Sequence, residues 1–265
     1  MTSHTNGIGL SVTSSHLDKL DPLIVLVHGA LDRAAGFARS VRHLDGLPVL
    51  RYDRRGYGRS SSTDPVGIED HVDDLLTLIG DRIAVVVGHS FGGVIGLSAA
   101  RRSPSRIIAV GAFEAPMTWR PWWPTASPGR SAVATAQRGA GSAAAGETFM
   151  ISLIGEERWL ALPDKVRAAR RDEGVALVAE LTSIDANDPP YDPAGLRLPI
   201  LAGHGTLSKP YLIRAARTLA DEAPLAQRMV FEGAGHGAHL SHPRQFAQFV
   251  LRAREMGLAH AHSPT

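Results

Sequence analysis

The chain of 265 residues contains no cysteine. Disulfide bonds, thiolate zinc sites and cysteine nucleophiles are therefore excluded for this sequence. The chain also lacks any apolar run that approaches the roughly 20 residues needed to cross a bilayer. Neither sign of charge dominates, because 28 Lys and Arg residues stand against 26 Asp and Glu residues. We therefore expect neither a membrane nor a nucleic acid as a partner, and we interpret short basic runs as solvated surfaces.

Targeting and cofactor signals are also missing from the sequence. Residues 1–7 have neither a basic start nor an apolar centre, so we expect no secretory signal peptide. This pattern favours a cytoplasmic protein. We expect no cofactor and no metal ion, and the sequence leaves the oligomeric state open.

The chain does contain short strand patterns that alternate with helical patterns, which is typical of an α/β fold with a mainly parallel sheet. Its apolar content of 44% is enough for a substantial core. This length accommodates one large α/β domain or two small ones. Strands are predicted at residues 23–27, 49–52, 83–87, 107–113, 198–202 and 228–231. Apolar spacing predicts helices at residues 68–79, 94–102 and 243–256, before a frayed tail at about 259–265.

The segment of residues 117–190 differs in character from the rest of the chain. It lacks strand alternation and holds all four tryptophans, Trp119, Trp122, Trp123 and Trp159. We interpret it as a cap inserted into a core domain of residues 1–116 and 191–265. Ligands of α/β sheets bind beyond the carboxyl ends of the strands, where this insertion emerges, so the four tryptophans are candidate substrate-binding residues. The alternative is a peripheral helical segment whose tryptophans form its own core.

The strongest chemical signal is the sequence Gly88-His89-Ser90-Phe91-Gly92, which lies between a predicted strand and a predicted helix. It fits the G-x-S-x-G pattern of a nucleophile elbow, in which a sharp turn holds a serine hydroxyl clear of the sheet. The crowded turn requires neighbours without side chains. A chance glycine-rich turn is the alternative. We identify Ser90 as the candidate nucleophile.

A serine hydroxyl is a weak nucleophile and needs a base. The candidate base is His236, because it lies in a glycine-rich loop after a predicted strand and follows Ser90 in chain order. His239 is the alternative base. Acyl transfer also needs hydrogen-bond donors for the developing oxyanion. The candidate donors are the backbone N–H groups of Ala30, just after an early strand, and of Phe91, next to the nucleophile.

Four motifs along the chain resemble, in this order, those of the α/β-hydrolase superfamily. They are His28-Gly29 and the segments of residues 52–60, 88–93 and 233–236. The resemblance covers nearly the whole chain apart from the insertion and the tail. It implies an α/β-hydrolase fold, with an eight-stranded, mostly parallel sheet flanked by helices, and a triad of serine, acid and histidine. In that family the turn that holds Asp53 and Arg54 is structural, so neither residue is assigned a chemical role.

The acid departs from the family's usual pattern. Most members carry it in the loop after the penultimate strand, where this sequence has Ser208, so either the triad is lost or the acid lies elsewhere. Our candidate is Glu114, because the strand before it neighbours the elbow strand in the family fold. The segment of residues 114–119 resembles that of haloalkane dehalogenases, which take their acid after this strand. The alternatives are a surface or helix-start role for Glu114, with the acid supplied by Asp185, Asp188 or Asp192.

Ser90 and its oxyanion donors favour acyl chemistry, most simply that of a carboxylesterase or lactonase acting on a small apolar molecule. The resemblance to dehalogenases stops at the nucleophile, where those enzymes carry aspartate, and an epoxide hydrolase with an aspartate nucleophile fails on the same ground. Two alternatives remain. One is altered chemistry on the same fold, such as a C–C hydrolase, perhydrolase, lyase or acyltransferase. The other is a catalytically silent protein that binds a small ligand.

Overall fold

A computed structural model describes residues 2–61, 63–184 and 186–262, which form one eight-stranded sheet with helices on both faces. The order across the sheet is β1-β2-β4-β3-β5-β6-β7-β8. Strands β1 and β2 pair antiparallel, as do β2 and β4, and every other pair is parallel. The architecture confirms the α/β-hydrolase fold expected from the sequence. The strands are β1 (Thr2–Thr5), β2 (Ser11–Ser15), β3 (Leu23–Val27), β4 (Val49–Tyr52), β5 (Ala84–His89), β6 (Ile107–Phe113), β7 (Ile200–Gly205) and β8 (Ala226–Phe231).

Helices cover both faces of the sheet, and this explains why the central strands are continuous apolar runs. Helices α2, α3 and α9 pack on one face, and α1 and α11 pack on the other. Among the described residues, no helix combines the length and apolar character that a bilayer-spanning segment needs. The helices are α1 (Ala38–Val41), α2 (Ile68–Ile79), α3 (Phe91–Arg102), α4 (Pro128–Thr135), α5 (Gly141–Ile154), α6 (Glu156–Leu160), α7 (Asp164–Asp172), α8 (Gly174–Thr182), α9 (Pro210–Glu222), α10 (Ala238–Ser241) and α11 (Pro243–Ala261).

The predicted elements agree with the structure wherever apolar residues dominate. The bounds of β3, β4, β6 and α2 match, whereas β7 begins two residues later than predicted, after Pro199, which has no N–H group for the sheet. Strands β1 and β2 were not predicted, because their sequences are mostly polar. The frayed tail was wrong for residues 259–261, which continue α11. Residues 263–265 lie outside the described part of the chain.

The segment of residues 117–190, which we call the insertion, contains α4 to α8 and follows β6. Its helices share a small apolar cluster around Trp159, which is fully buried. The cluster also includes Leu31 and Tyr57 from the region of the sheet. Burial of such large side chains is worth about 1.5–3 kcal/mol each. The insertion therefore packs both on itself and on the sheet region.

Two buried glutamates attach the insertion to the sheet region. Glu180 of α8 accepts a hydrogen bond from Nη1 of Arg54 at 2.6 Å, and both side chains are fully buried. Glu173, just before α8, accepts hydrogen bonds from Nη2 of Arg33 at 2.6 Å and from the backbone N–H of Gly58 at 2.8 Å. Breaking a buried ion pair is costly because it leaves a charge without a partner.

The Arg54–Glu180 pair predicts a pH-dependent contribution to stability. Burial opposes ionisation of Glu180, but the Arg54 guanidinium and the nearby His71 lower the pKa of Glu180 from 4.5 to about 2. The pair therefore stabilises the fold fully above pH 4.5, and this contribution is lost as the pH falls from there toward 2. We expect Glu180→Gln to lower the free energy of unfolding by about 3–5 kcal/mol at neutral pH, and by progressively less below the ordinary pKa of a glutamate.

Urea unfolding of the wild type and of Glu180→Gln, from neutral pH down to about pH 3, measures this difference. A difference in unfolding free energy that stays constant over the whole range would contradict the prediction.

Candidate active site

Ser90 lies on the turn between β5 and α3, at the end of the sheet where the parallel strands finish. Its φ of 54° and ψ of −124° are outside the regions that residues other than glycine usually adopt. The backbone N–H of Ser90 donates a hydrogen bond to the Phe113 carbonyl at 2.8 Å, which holds the turn against β6. A Cβ atom at Gly88 would lie 2.1 Å from the carbonyl oxygen of Gly92. This position therefore admits only glycine, as a sharp strand-to-helix turn requires.

Glu114 is the first residue after β6, and its carboxylate is fully buried. Because β5 and β6 pair in parallel, Ser90 and Glu114 emerge at the same edge of the sheet. The Glu114 carboxylate accepts hydrogen bonds from Nδ1 of His236 at 2.6 Å and from the backbone N–H of Gly205 at 2.8 Å. The φ of Glu114 is 50°, a conformation that costs about 1–3 kcal/mol. The structure thus brings the acid and the base proposed from the sequence into direct contact.

Ser208 lies where the family usually carries its acid, and its hydroxyl donates a hydrogen bond to Oε1 of Glu114. Local sequence patterns gave no sign of this contact, because it joins residues 94 positions apart. Two of the alternative acids do not take this place. Asp188 and Asp192 are exposed, and Asp192 caps a short helical turn. Asp185 lies outside the described residues.

His236 lies in the loop after β8, and its side chain is 19% exposed. Since Nδ1 is bonded to the buried carboxylate, Nε2 is the nitrogen left to serve Ser90, and both residues line the same cavity. The backbone carbonyl of His236 accepts a hydrogen bond from Nε2 of His89 at 2.8 Å. The alternative base, His239, is buried, does not line this cavity, and places Nε2 2.9 Å from the Asp32 carboxylate.

Asp32, His89 and His239 form a group that supports the His236 loop. Within the described parts of the chain, their ligand atoms lie within 4.8 Å of one another, so they have the composition of a metal site. Nε2 of His239 lies 2.9 Å from Oδ2 of the Asp32 carboxylate. Burial lowers the pKa of His89 well below its ordinary value, and the rings of His239 and His236 act in the same direction. His89 is therefore neutral at neutral pH, and it serves as a hydrogen-bond donor to the loop.

The two proposed oxyanion donors, Ala30 and Phe91, line the cavity together with Ser90. Phe91 is the first residue of α3, where backbone N–H groups have no partner within the helix. Ala30 follows β3, in a loop whose Gly29 carbonyl accepts a hydrogen bond from Nη2 of Arg54 at 3.0 Å. No chemical role was expected for Arg54 from the sequence. Its reach to this loop becomes visible only in the folded chain.

The cavity beside Ser90 has a volume of about 70 Å³. Its walls come from the sheet region and from the insertion, and among the described residues that line it there is no Lys, Arg, Asp or Glu. A pocket of this kind suits a small uncharged group. Its largest apolar walls are Phe91, Trp123, Phe149, Leu153, Leu181 and Leu212.

Of the four tryptophans expected to bind substrate, only Trp123 lines this cavity. Trp159 is fully buried in the cluster of the insertion, and its indole N–H donates a hydrogen bond to Glu147 at 2.9 Å. Trp119 packs edge-on against a tyrosine ring, and Trp122 lies beside an arginine guanidinium. Trp119, Trp122 and Trp159 therefore do not line this cavity. Composition alone does not distinguish the aromatic core of a helical segment from a binding site.

A model of the alpha/beta hydrolase family matches residues 24–249 of this chain. The pimeloyl-[acyl-carrier protein] methyl ester esterase of Aromatoleum aromaticum is 29% identical over 254 residues, which cover 86% of this chain and 96% of that protein. Lipase LipV of Mycobacterium tuberculosis is 33% identical over 90 residues, which cover 33% of this chain. The chain therefore spans about a third of the length of LipV (34%).

Among solved structures, the enol-lactonase from Burkholderia xenovorans superposes with a TM-score of 0.72. The two chains are 23% identical, and the superposition covers 95% of this chain and 98% of the lactonase. Similarity at this level of identity shows a shared fold.

The tight packing at Gly88 predicts that a single added methyl group lowers the stability of the protein. We expect Gly88→Ala to lower the free energy of unfolding by on the order of 3 kcal/mol, because the new Cβ atom meets rigid backbone that cannot move aside. The control is Gly7→Ala, since a Cβ atom there has no neighbour within 4 Å. Chemical denaturation measures both variants, and equal stability of the two would contradict the prediction.

Proposed function

The chain belongs to the alpha/beta hydrolase family, and we propose that it is a serine hydrolase that cleaves a small, uncharged, apolar ester, either a carboxylic ester or a lactone. One observation carries this proposal. His236 is held at Nδ1 by the buried Glu114 carboxylate, 2.6 Å away, and lines one cavity with Ser90. The relative from Aromatoleum aromaticum, named as a methyl ester esterase, supports the choice of an ester bond.

In the proposed mechanism, Ser90 attacks the carbonyl carbon of the substrate while Nε2 of His236 takes the hydroxyl proton. The backbone N–H groups of Ala30 and Phe91 stabilise the oxyanion, each by about 3 kcal/mol. His236 then donates its proton to the alkoxy oxygen as its bond to the carbonyl carbon breaks, which leaves an acyl group on Ser90. The alcohol departs from a carboxylic ester, whereas in a lactone it stays attached to the acyl group. A water molecule, deprotonated by His236, attacks this acyl-enzyme, and the acid product leaves as Ser90 recovers its proton.

Glu114 supports both halves of this cycle. Its hydrogen bond to Nδ1 keeps the neutral imidazole in the tautomer whose Nε2 accepts a proton, and its charge stabilises the imidazolium that follows. The hydrogen bonds from Gly205 and Ser208 hold the carboxylate in place and satisfy its second oxygen. In this proposal Ser208 orients the acid from the position where related proteins carry the acid itself.

The cavity supports the proposed substrate class. A volume of about 70 Å³ fits a short acyl chain, and a lining without ionised Lys, Arg, Asp or Glu side chains offers no partner to a charged one. We propose that residues 117–190 act as a cap, because Trp123, Phe149 and Leu153 from this segment line the same cavity as Ser90. The core domain is then residues 1–116 and 191–265.

A fluorophosphonate probe tests whether Ser90 is an activated nucleophile. We expect the wild type to be labelled and to hydrolyse p-nitrophenyl acetate, and we expect Ser90→Ala to show neither property. Mass spectrometry of the labelled peptide identifies the modified residue. A wild-type protein that is folded, unlabelled and inactive would refute the hydrolase and favour a silent ligand-binding protein.

The acid is tested by two variants of neighbouring side chains. Glu114→Gln removes the charge that supports the imidazolium, so we expect kcat for p-nitrophenyl acetate to fall by about 10⁴-fold. Ser208→Ala removes one hydrogen bond to that carboxylate and leaves its charge, so we expect a loss of about tenfold or less. Steady-state kinetics with circular dichroism as a folding control measure both effects. Wild-type kcat in Glu114→Gln would rule out this acid.

A further inference from the structure

A single arginine, Arg54, connects a buried glutamate of the insertion to the loop of residues 28–30, which we call the oxyanion loop. Glu180 lies on α8, and Arg54 lies in the turn after β4. Neither side chain has a role in the mechanism above. Both are fully buried, although a buried charge is costly unless its partners are well placed.

The N–H groups of the Arg54 side chain form hydrogen bonds both to the insertion and to the oxyanion loop. Nη1 donates a hydrogen bond to Oε2 of Glu180 at 2.6 Å. On the other side, Nε donates to the His28 carbonyl and Nη2 donates to the Gly29 carbonyl, each at 3.0 Å. The backbone N–H of Arg54 also donates to Nε2 of His28 at 2.9 Å. One residue therefore holds the loop at three separate points.

The hydrogen bond from Arg54 to the Gly29 carbonyl also affects the Ala30 N–H group, because the two groups share one peptide bond. The Gly29 carbonyl and the Ala30 N–H belong to the same planar, trans peptide unit, in which they point in opposite directions. An arginine that fixes the direction of the carbonyl also fixes the direction of the N–H group. A Cβ atom at Gly29 would lie only 2.9 Å from Cβ of Ser90, so this peptide lies directly beside the nucleophile.

Glu180 is the anionic partner that keeps Arg54 in this orientation. His71 also contacts the guanidinium, with its Nε2 3.1 Å from Nη1, but unlike Glu180 it carries no negative charge that could balance that of Arg54. Burial and the charge of Arg54 lower the pKa of His71, so that it is neutral at neutral pH. The Arg54 guanidinium also lies 5.4 Å from the ring centre of Phe91, the residue of the second donor.

We propose that Glu180 is a positioning residue, which acts through Arg54 to fix the direction of the Ala30 N–H group toward the oxyanion. Docking of the insertion and completion of the oxyanion hole are then one event, since the same carboxylate does both. This inference rests on the proposed serine-hydrolase function, and the experiment below distinguishes the failure of one from the failure of the other.

Glu173 offers a matched control. It is also a glutamate at the junction of the insertion and the sheet region, 4% exposed, with an arginine partner at 2.6 Å. Its other bonds go to the Gly58 N–H and to Arg170, so its described contacts do not include the oxyanion loop. Removal of its charge weakens the attachment of the insertion without releasing the Gly29 carbonyl.

The experiment compares Glu180→Gln, Glu180→Asp and Glu173→Gln with the wild type, well below the melting temperature of each. The readouts are kcat and KM for p-nitrophenyl acetate and the inhibition constant of propylboronic acid, which forms a tetrahedral adduct with an activated serine and resembles the transition state. Glu180→Asp keeps the buried charge, so it provides a folded variant even if Glu180→Gln does not fold.

We expect both Glu180 variants to lose about tenfold or more in kcat, with KM changed by less than about threefold. Loss of a whole oxyanion donor costs roughly 10²–10³-fold, which sets the upper limit for a donor that is only misdirected. Affinity for propylboronic acid should fall by a similar factor. Glu173→Gln should retain the kcat and boronate affinity of the wild type, even if its melting temperature is lower.

Wild-type kcat and boronate affinity in folded Glu180 variants would overturn the inference and leave Glu180 with a purely structural role. An equal loss of kcat in Glu173→Gln would also overturn it, because the effect would then belong to the attachment of the insertion in general. A wild type that neither reacts with fluorophosphonate nor hydrolyses esters would instead refute the proposed function itself.

Discussion

One buried carboxylate, that of Glu114, joins the carboxyl ends of three parallel strands. Its backbone continues β6, and its oxygens accept hydrogen bonds from the loop after β7 and from His236 after β8. A buried charge without partners is strongly unfavourable, so a fold that satisfies this carboxylate also places His236. Parallel pairing of β5 with β6 adds Ser90 beside it. The hydrogen bonds that satisfy the Glu114 carboxylate therefore also bring the other side chains of the candidate site together.

Much of this arrangement was predictable, because it depends on short-range rules. A strand that contains Gly88 near its end and is followed by Ser90 and two further glycines has few conformations open to it other than the observed turn. Glu114 was predictable for a topological reason, since neighbouring parallel strands finish at the same edge of the sheet. The family resemblance supplied the expectation that the strand before Glu114 lies next to the elbow strand, and the parallel pairing of β5 with β6 confirms it.

The remaining features depend on contacts between distant residues. Ser208 meets Glu114 across 94 positions and Arg54 meets Glu180 across 126, and no local pattern marks either partner. The tryptophans show the limit of composition, because an indole is equally suited to the core of a helical segment, as at Trp159, and to a cavity wall, as at Trp123. Edge strands such as β1 consist of polar residues and therefore lack the apolar alternation by which a strand is recognised in a sequence.

The contact between Ser208 and Glu114 bears on how the acid of such a site can be recognised from a sequence. His236 and Ser208 bond to the two oxygens of one carboxylate, so the ends of β6 and β7 and the loop after β8 meet at Glu114. The acid of this site is therefore defined by its distance and orientation relative to His236, and not by its position in the sequence. A motif search that demands aspartate in the loop after β7 therefore overlooks the carboxylate that His236 contacts in this chain.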